Sequence, residues 1–232
     1  MLGETSQPVA GDGSAVPPLV DKLLAAFDLV AMSLFRVGDE PDYEPARASS
    51  LFGEAMRTGK KPLEVAYDAL LEDGGHRLLY FPIYNYASGS LAEVGEMLRH
   101  PHALLGLGDG GAHVGTICDA SFSTFLLTHW VRDRGAFSIE AAIHKLTGEP
   151  AAWLGLGDRG VLREGLRADL NLIDLPALAL GRPSLVRDLP AGGKRFLQPA
   201  RGYRATVVHG EVIVEDGQLT GARPGRVARP VY

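Results

Sequence analysis

The sequence predicts an α/β fold that gives way to antiparallel β near residues 155–160. Three observations carry that prediction. Short apolar runs alternate with helical spacing as far as Trp153, the order of a parallel α/β arrangement. Beyond Gly157, brief β-rich segments are separated by turn residues. Within the α/β part stands Leu104-Leu105-Gly106-Leu107-Gly108-Asp109-Gly110-Gly111-Ala112-His113-Val114-Gly115, an apolar run ending in five glycines around one carboxylate and one imidazole.

Gly3–Pro18, rich in small residues and proline, reads as loop. Leu23, Leu24, Phe27 and Val30 have helical spacing and run into a strand-like Leu29–Phe35. Gly38–Pro45 is a polar, proline-bounded loop, and helices are expected over Ala46–Thr58 and Pro62–Leu71. Pro62 suits the first helical position, and Glu64 lies in the first turn, where the helix dipole favours it. Asp73-Gly74-Gly75 ends that helix. Leu78–Tyr86, interrupted by Pro82, reads as a strand, and Leu91–Leu98 as a short helix. Helices follow over Phe122–Arg132, apolar almost all round and so expected to be buried, and Ile139–Leu156. In the tail, Val161-Leu162, Ala168–Asp174, Thr206–Val208 and Glu211–Glu215 read as strands, and Asp216-Gly217 as a hairpin turn.

Composition narrows the function. The 232 residues are 46% hydrophobic and 22% charged, with a net charge of −5, which disfavours nucleic acid or an anionic membrane as partner. No run approaches the ~20 apolar residues of a membrane span. Residues 1–7 lack the basic and apolar regions of a signal peptide. The single Cys118 allows no internal disulfide, so a reducing cytoplasm is the expected location.

Gly106–Gly111 spells G-x-G-x-x-G, but no helix pattern opens on the third glycine and no acid ends a second strand ~20 residues on, so a dinucleotide site is disfavoured. Asp109 can serve as a general base or cap its own turn, and spacing alone favours the turn. His113 is a ligand, a substrate contact or a loop histidine. Cys118 beside Asp119 more often packs than binds metal. His100 and His102 flank Pro101 at the entry of a strand, the end opposite a barrel's active site. His129 and His144 lie in helices. Tyr84, Asn85 and Tyr86 close the preceding strand and either line the pocket of Asp109 or pack as core.

One resemblance gathers these residues. Residues 108–122, Gly-Asp-Gly-Gly-Ala-His-Val-Gly-Thr-Ile-Cys-Asp-Ala-Ser-Phe, followed by Thr128-His129-Trp130, resemble the last barrel strand and following loop of N-acyl-D-amino-acid deacylases of the amidohydrolase superfamily. Gly160–Leu170 resembles that family's return into its small β-sandwich, and Val208–Val212 with Asp216-Gly217 and Thr220-Gly221 its closing hairpin. The resemblance implies a (β/α)8 barrel, here only its C-terminal part (residues 1–157), followed by part of an antiparallel β-sandwich (158–232). It implies hydrolysis of N-acyl-D-amino acids or related amides, with zinc in the complete enzyme. Asp109 would take a proton from the metal-bound water and pass it to the leaving amine, while His113, Tyr84 and Asn85 would contact substrate.

The family's first metal motif, His-x-His, occurs here only as His100-Pro101-His102, at the wrong end of a strand. The other histidine before Asp109 is His76, in a turn. Residues 1–155 hold at most four strand-helix units where a barrel needs eight. The chain is therefore expected to bind no zinc and hydrolyse nothing by itself, or else to complete a barrel with a partner chain that carries the N-terminal half.

Overall fold

The computed structural model describes residues 25–106, 118 and 120–229. The chain divides into two compact units. The first takes the described residues up to Arg36 together with Glu44–Gly89, and the second takes Val37–Tyr43 and the described residues from Ser90 onward.

In the first unit, helix α1 (Phe27–Ala31) precedes the two-residue strand β1 (Phe35–Arg36). The strand read over Leu29–Phe35 is thus mostly helix and turn, with Leu29 and Met32 exposed. A short 3₁₀ turn leads to α2 (Leu51–Thr58). The Ser50 side chain caps α2 by accepting a hydrogen bond from Gly53 N at 3.1 Å. Helix α3 (Pro62–Gly75) begins as expected: Pro62 opens it, and Glu64 Oε2 accepts from Lys61 N at 3.1 Å. It leaves helical geometry at Glu72, Asp73 and Gly74, where the Asp-Gly-Gly signal falls.

Strand β2 (Leu79–Tyr80) pairs antiparallel with β1, Phe35 opposite Tyr80 and Arg36 opposite Leu79. This corrects the parallel order read from the alternation of elements. A single crossover helix returns the chain to run parallel, whereas two helices, α2 and α3, turn it twice and bring β2 back against β1. The core of the unit is Ala31, Leu51, Ala55, Val65 and Ala66, with Phe27, Leu34, Phe52 and Leu79 packed on it.

Arg36 ties the unit's polar edge. Its Nε and Nη2 each donate to the Glu54 carboxylate at 2.9 Å, and Nη1 donates to Glu72 at 2.5 Å. The hydrogen-bonded guanidinium holds Glu54 below the usual carboxylate range against the opposing effect of burial. A carboxyl whose pKa is depressed on folding stabilises above its unfolded value, about 4.3, and that stabilisation disappears as pH falls through the folded value. Urea midpoints taken from pH 7 down to pH 3 are expected to fall less steeply in Glu54→Gln than in the parent. Parallel curves would show that the Arg36–Glu54 pair carries no acid-dependent stability.

In the second unit, α4 (Ala92–Arg99) is followed by Ala103–Gly106, which is not paired as a strand among the described residues. Helix α5 (Phe122–Phe125) continues as a π-helix over Leu126–Asp133, visible in the bond from Arg134 N to His129 O at 3.0 Å. The expected burial of this segment holds at Thr124, Leu126, Leu127, Thr128 and Trp130. Helices α6 (Ile139–Leu146) and α7 (Gly148–Trp153) follow. Leu126, Leu127, Trp130, Ala142 and Leu178 form the second core.

The tail is antiparallel, as its turn-rich texture suggests. Strands β3 (Leu170–Ile173), β8 (Tyr203–Val208), β9 (Glu211–Glu215) and β10 (Gln218–Leu219) form one sheet in the order β10-β9-β8-β3. Strands β4 (Ala179–Leu180) and β7 (Ala200–Arg201) make a second pair, and β5 (Ser184–Val186) and β6 (Arg195–Leu197) a third. Asp216 and Gly217 both take positive φ, 43° and 80°, joining β9 to β10 by the turn their sequence signals. Val161-Leu162 is no strand: an apolar pair without alternation, it is an exposed loop, Leu162 at 92%.

Candidate functional site

Asp109 and His113 lie outside the described residues, but both flanks of their segment are anchored. On the N-terminal side, Lys145 Nζ donates to Ala103 O at 3.3 Å and to Glu149 Oε2 at 3.2 Å. On the C-terminal side, Ser121 Oγ donates to Gln198 Oε1 at 2.6 Å. Gln198 Nε2 in turn donates to the Tyr43 hydroxyl at 2.7 Å and to Gly181 O at 3.0 Å. One turn further on, the Thr124 and Tyr203 hydroxyls are 2.8 Å apart. Helix α6 therefore holds Ala103, and the β-rich tail holds Ser121. Cys118, the single cysteine of the sequence, is partly buried.

The three residues closing the upstream strand separate. Tyr84 is 82% exposed, and Asn85 is exposed with φ of 61°, a left-handed conformation that asparagine tolerates. That turn sends the next side chain inward. Tyr86 is buried edge-on to Phe35, with ring centres 6.4 Å apart, and its hydroxyl donates to Pro45 O at 2.6 Å. Of the two readings of this trio, Tyr86 takes core packing.

Three of the described histidines have local partners. His100 Nδ1 accepts from His102 N at 3.2 Å just after α4. His129 stacks on Phe125 with ring centres 4.5 Å apart and meets Trp130 edge-on at 5.0 Å. Among the described residues, no group of three or more His, Cys, Asp or Glu side chains could hold a metal ion. The zinc that the resemblance implies does not fit these described residues.

A cleft of about 690 Å3 opens in the second unit, walled by Glu40, Asp42, Tyr43, His129, Arg132 and Arg201 among others. This is ligand-sized. Its cations are engaged within the wall: Arg132 donates to Leu178 O and to Asp133, and Arg201 to Glu40 at 3.0 Å. At its rim Arg204 donates to Asp174 at 2.9 Å, holding that carboxyl below its ordinary range. Sequence reasoning missed this cleft because its walls come from four separate segments, residues 40–43, 125–133, 176–180 and 201–204, which no local pattern joins.

A model of the amidohydrolase family matches residues 54–214. The N-acyl-D-aspartate deacylase of Alcaligenes xylosoxydans xylosoxydans is 38% identical over 142 residues, 60% of this chain and 26% of the relative. The D-aminoacylase of the same organism is 35% identical over 102 residues, 44% of this chain and 19% of the relative. The match thus spans only a fifth to a quarter of the length of these curated relatives. Among solved structures, a D-aminoacylase aligns with 87% of this chain and 38% of its own, at 25% identity and a TM-score of 0.47. An N-acyl-D-glutamate deacylase from Bordetella bronchiseptica, solved with zinc and a phosphonate inhibitor, aligns with 85% and 37% at 24% identity and a TM-score of 0.44. With more than half its length matched, including the segment of Asp109 and His113, the chain belongs to the amidohydrolase family.

Proposed function

We propose that this chain is the C-terminal part of a D-aminoacylase-like amidohydrolase that cleaves the amide of N-acyl-D-amino acids or related amides. On this reading the chain combines the last part of a barrel, residues 1–157, with part of a β-sandwich, residues 158–232. The observation that carries it is the family match over residues 54–214, reinforced by the 38% identity to an N-acyl-D-aspartate deacylase. Asp109 accepts the proton of the attacking water and returns it to the leaving amine, the work of a general base and then a general acid. His113, Tyr84 and Asn85 contact substrate. Zinc belongs to the complete site, and the chain alone is inactive. A second reading is favoured by the lack of a metal-ligand cluster among the described residues: the chain is a non-catalytic subunit completed by a partner with the remaining ligands.

Two assays test the first reading. Supplied with zinc, the purified chain is expected to leave N-acetyl-D-aspartate intact. The stretch of this chain that aligns with the N-acyl-D-aspartate deacylase over 142 residues, grafted in its place, is expected to support hydrolysis. In that graft Asp109→Asn should lower kcat by about 10²–10⁴-fold, the usual worth of a positioned acid-base group. Turnover by the chain alone, or a folded graft indifferent to Asp109→Asn, would sink the proposal.

A further inference from the structure

A second cleft, of about 420 Å3, opens within the first unit. That is the size of a small-molecule site. Phe35, Phe52 and Tyr86 line it, with the Tyr86 hydroxyl committed to Pro45 O. Leu29 and Met32 line it too, while remaining 67% and 45% exposed. Ser50 is also in the wall, but its hydroxyl oxygen is taken by Gly53 N. The space is therefore mainly apolar.

Among the described residues the one charged group in this wall is Arg47. Backbone fixes where it lies. Its Nη2 donates to Ala87 O, and its side chain runs across Gly89, where a Cβ would stand 2.6 Å from Nε and 3.1 Å from Cγ. Gly89 has φ of 77°, so both its conformation and its missing side chain make room for the guanidinium. A carbonyl occupies one of the five N–H donors and neutralises none of the charge. Among the described residues no carboxylate pairs with Arg47, whereas Arg36, Arg195 and Arg204 are each so paired. An uncompensated guanidinium beside apolar walls suits an anion with an apolar body. We propose that this cleft binds a straight-chain carboxylic acid as its anion, the carboxylate on Arg47 and the chain against Leu29, Met32 and Phe52. The site uses no residue assigned to hydrolysis, and its occupancy is independent of that reading.

Sodium octanoate is the probe, read by NMR of the full chain with 13C-labelled methionine methyls. Octanoate is expected to shift the Met32 signal and to leave those of Met56 and Met97, which are also exposed, in place. The dissociation constant should be on the order of 100 μM, ordinary for a ligand of about ten heavy atoms. Hexanoate should bind about fifteenfold more weakly, at about fourfold per methylene. Octanamide, of the same shape but uncharged, should bind the parent about tenfold more weakly than octanoate, a comparison that needs no variant. Arg47→Gln should abolish that difference, with the far-UV circular dichroism unchanged because the side chain is exposed. Gly89→Ala should also weaken octanoate, because its Cβ displaces the guanidinium. No shift at Met32 up to about 5 mM octanoate overturns the inference. So do equal shifts at Met32, Met56 and Met97, or equal affinities of the parent for octanoate and octanamide.

Discussion

Gly202→Ala is expected to unfold the region where the chain passes from β7 to β8, at a cost of at least about 3 kcal/mol. Gly202 has φ of 94°, which an alanine adopts only under strain. The larger obstacle is space. A Cβ at this position would stand 2.6 Å from Leu178 Cα, 2.7 Å from Leu178 N and 2.9 Å from Ala177 C. These are backbone atoms of the turn entering β4, so no side-chain rotation relieves the clash. Leu178 is itself fully buried in the second core, and Gly202 O accepts from Asp174 N at 2.8 Å. Relief therefore means losing that hydrogen bond or withdrawing Leu178 from Trp130 and its neighbours. Thermal unfolding of Gly202→Ala should show a strongly lowered midpoint or no folded second unit. Gly225→Ala, where an added Cβ meets nothing within 4 Å, serves as control. A Gly202→Ala midpoint equal to the control's would disprove the close approach.

The second large effect is expected in the other unit. Leu51 is completely buried, and its core neighbours Ala31, Ala55 and Ala66 are small. Its backbone N–H also donates to Leu34 O at 2.8 Å, which pins the start of α2 beneath β1. Alanines cannot swing into the space that Leu51→Ala opens, and the capped, pinned helix has little freedom to settle. The cost should therefore lie in the upper half of the ~2–5 kcal/mol range for buried leucine truncations. Leu51→Met, which keeps the volume, should cost less than about 1.5 kcal/mol. Urea denaturation of both variants separates these outcomes. A loss below about 1 kcal/mol in Leu51→Ala would mean that the small residues around it do collapse.

The local signals were legible and the long-range ones were not. Pro62 with Glu64, Asp73-Gly74-Gly75 and Asp216-Gly217 each act within four residues, and each stands where the sequence puts it, whereas the helix read from Ala46 begins only at Leu51, after the Ser50 cap. Leu78–Tyr86 reads as one strand, yet ladder pairing stops after Tyr80, because Pro82 has no N–H to donate and Asn85 turns the backbone left-handed. The pairs β4–β7 and β5–β6 escaped notice because their partners lie nine to twenty-two residues apart in short, proline-flanked pieces. An all-round apolar helix pattern announces burial but carries no mark that distinguishes α from π hydrogen bonding over Leu126–Asp133. At the site, one carboxylate in a glycine-rich turn is readable from Asp109 alone. Its partners in chemistry come from distant parts of a fold and leave no local pattern. The cleft between Glu40–Tyr43, the π-helix and the β4 turn escaped for the same reason.

The order of the four-stranded sheet also sets the sequence of events in folding. β8, β9 and β10 follow one another through two-residue turns, so their hairpins close locally and at little entropic cost. β3 comes from far upstream: Leu170 pairs with Val207 and Asn171 with Thr206, across a connection of twenty-nine residues that contains four other strands. Non-local pairing of this kind is slow to form, because the loop must close before the contacts reward it. During refolding the β8 edge therefore waits with its backbone donors and acceptors unpaired, a template for another chain until β3 arrives. Refolding yield should depend on how dilute the chain is kept during that interval, however stable the finished sheet.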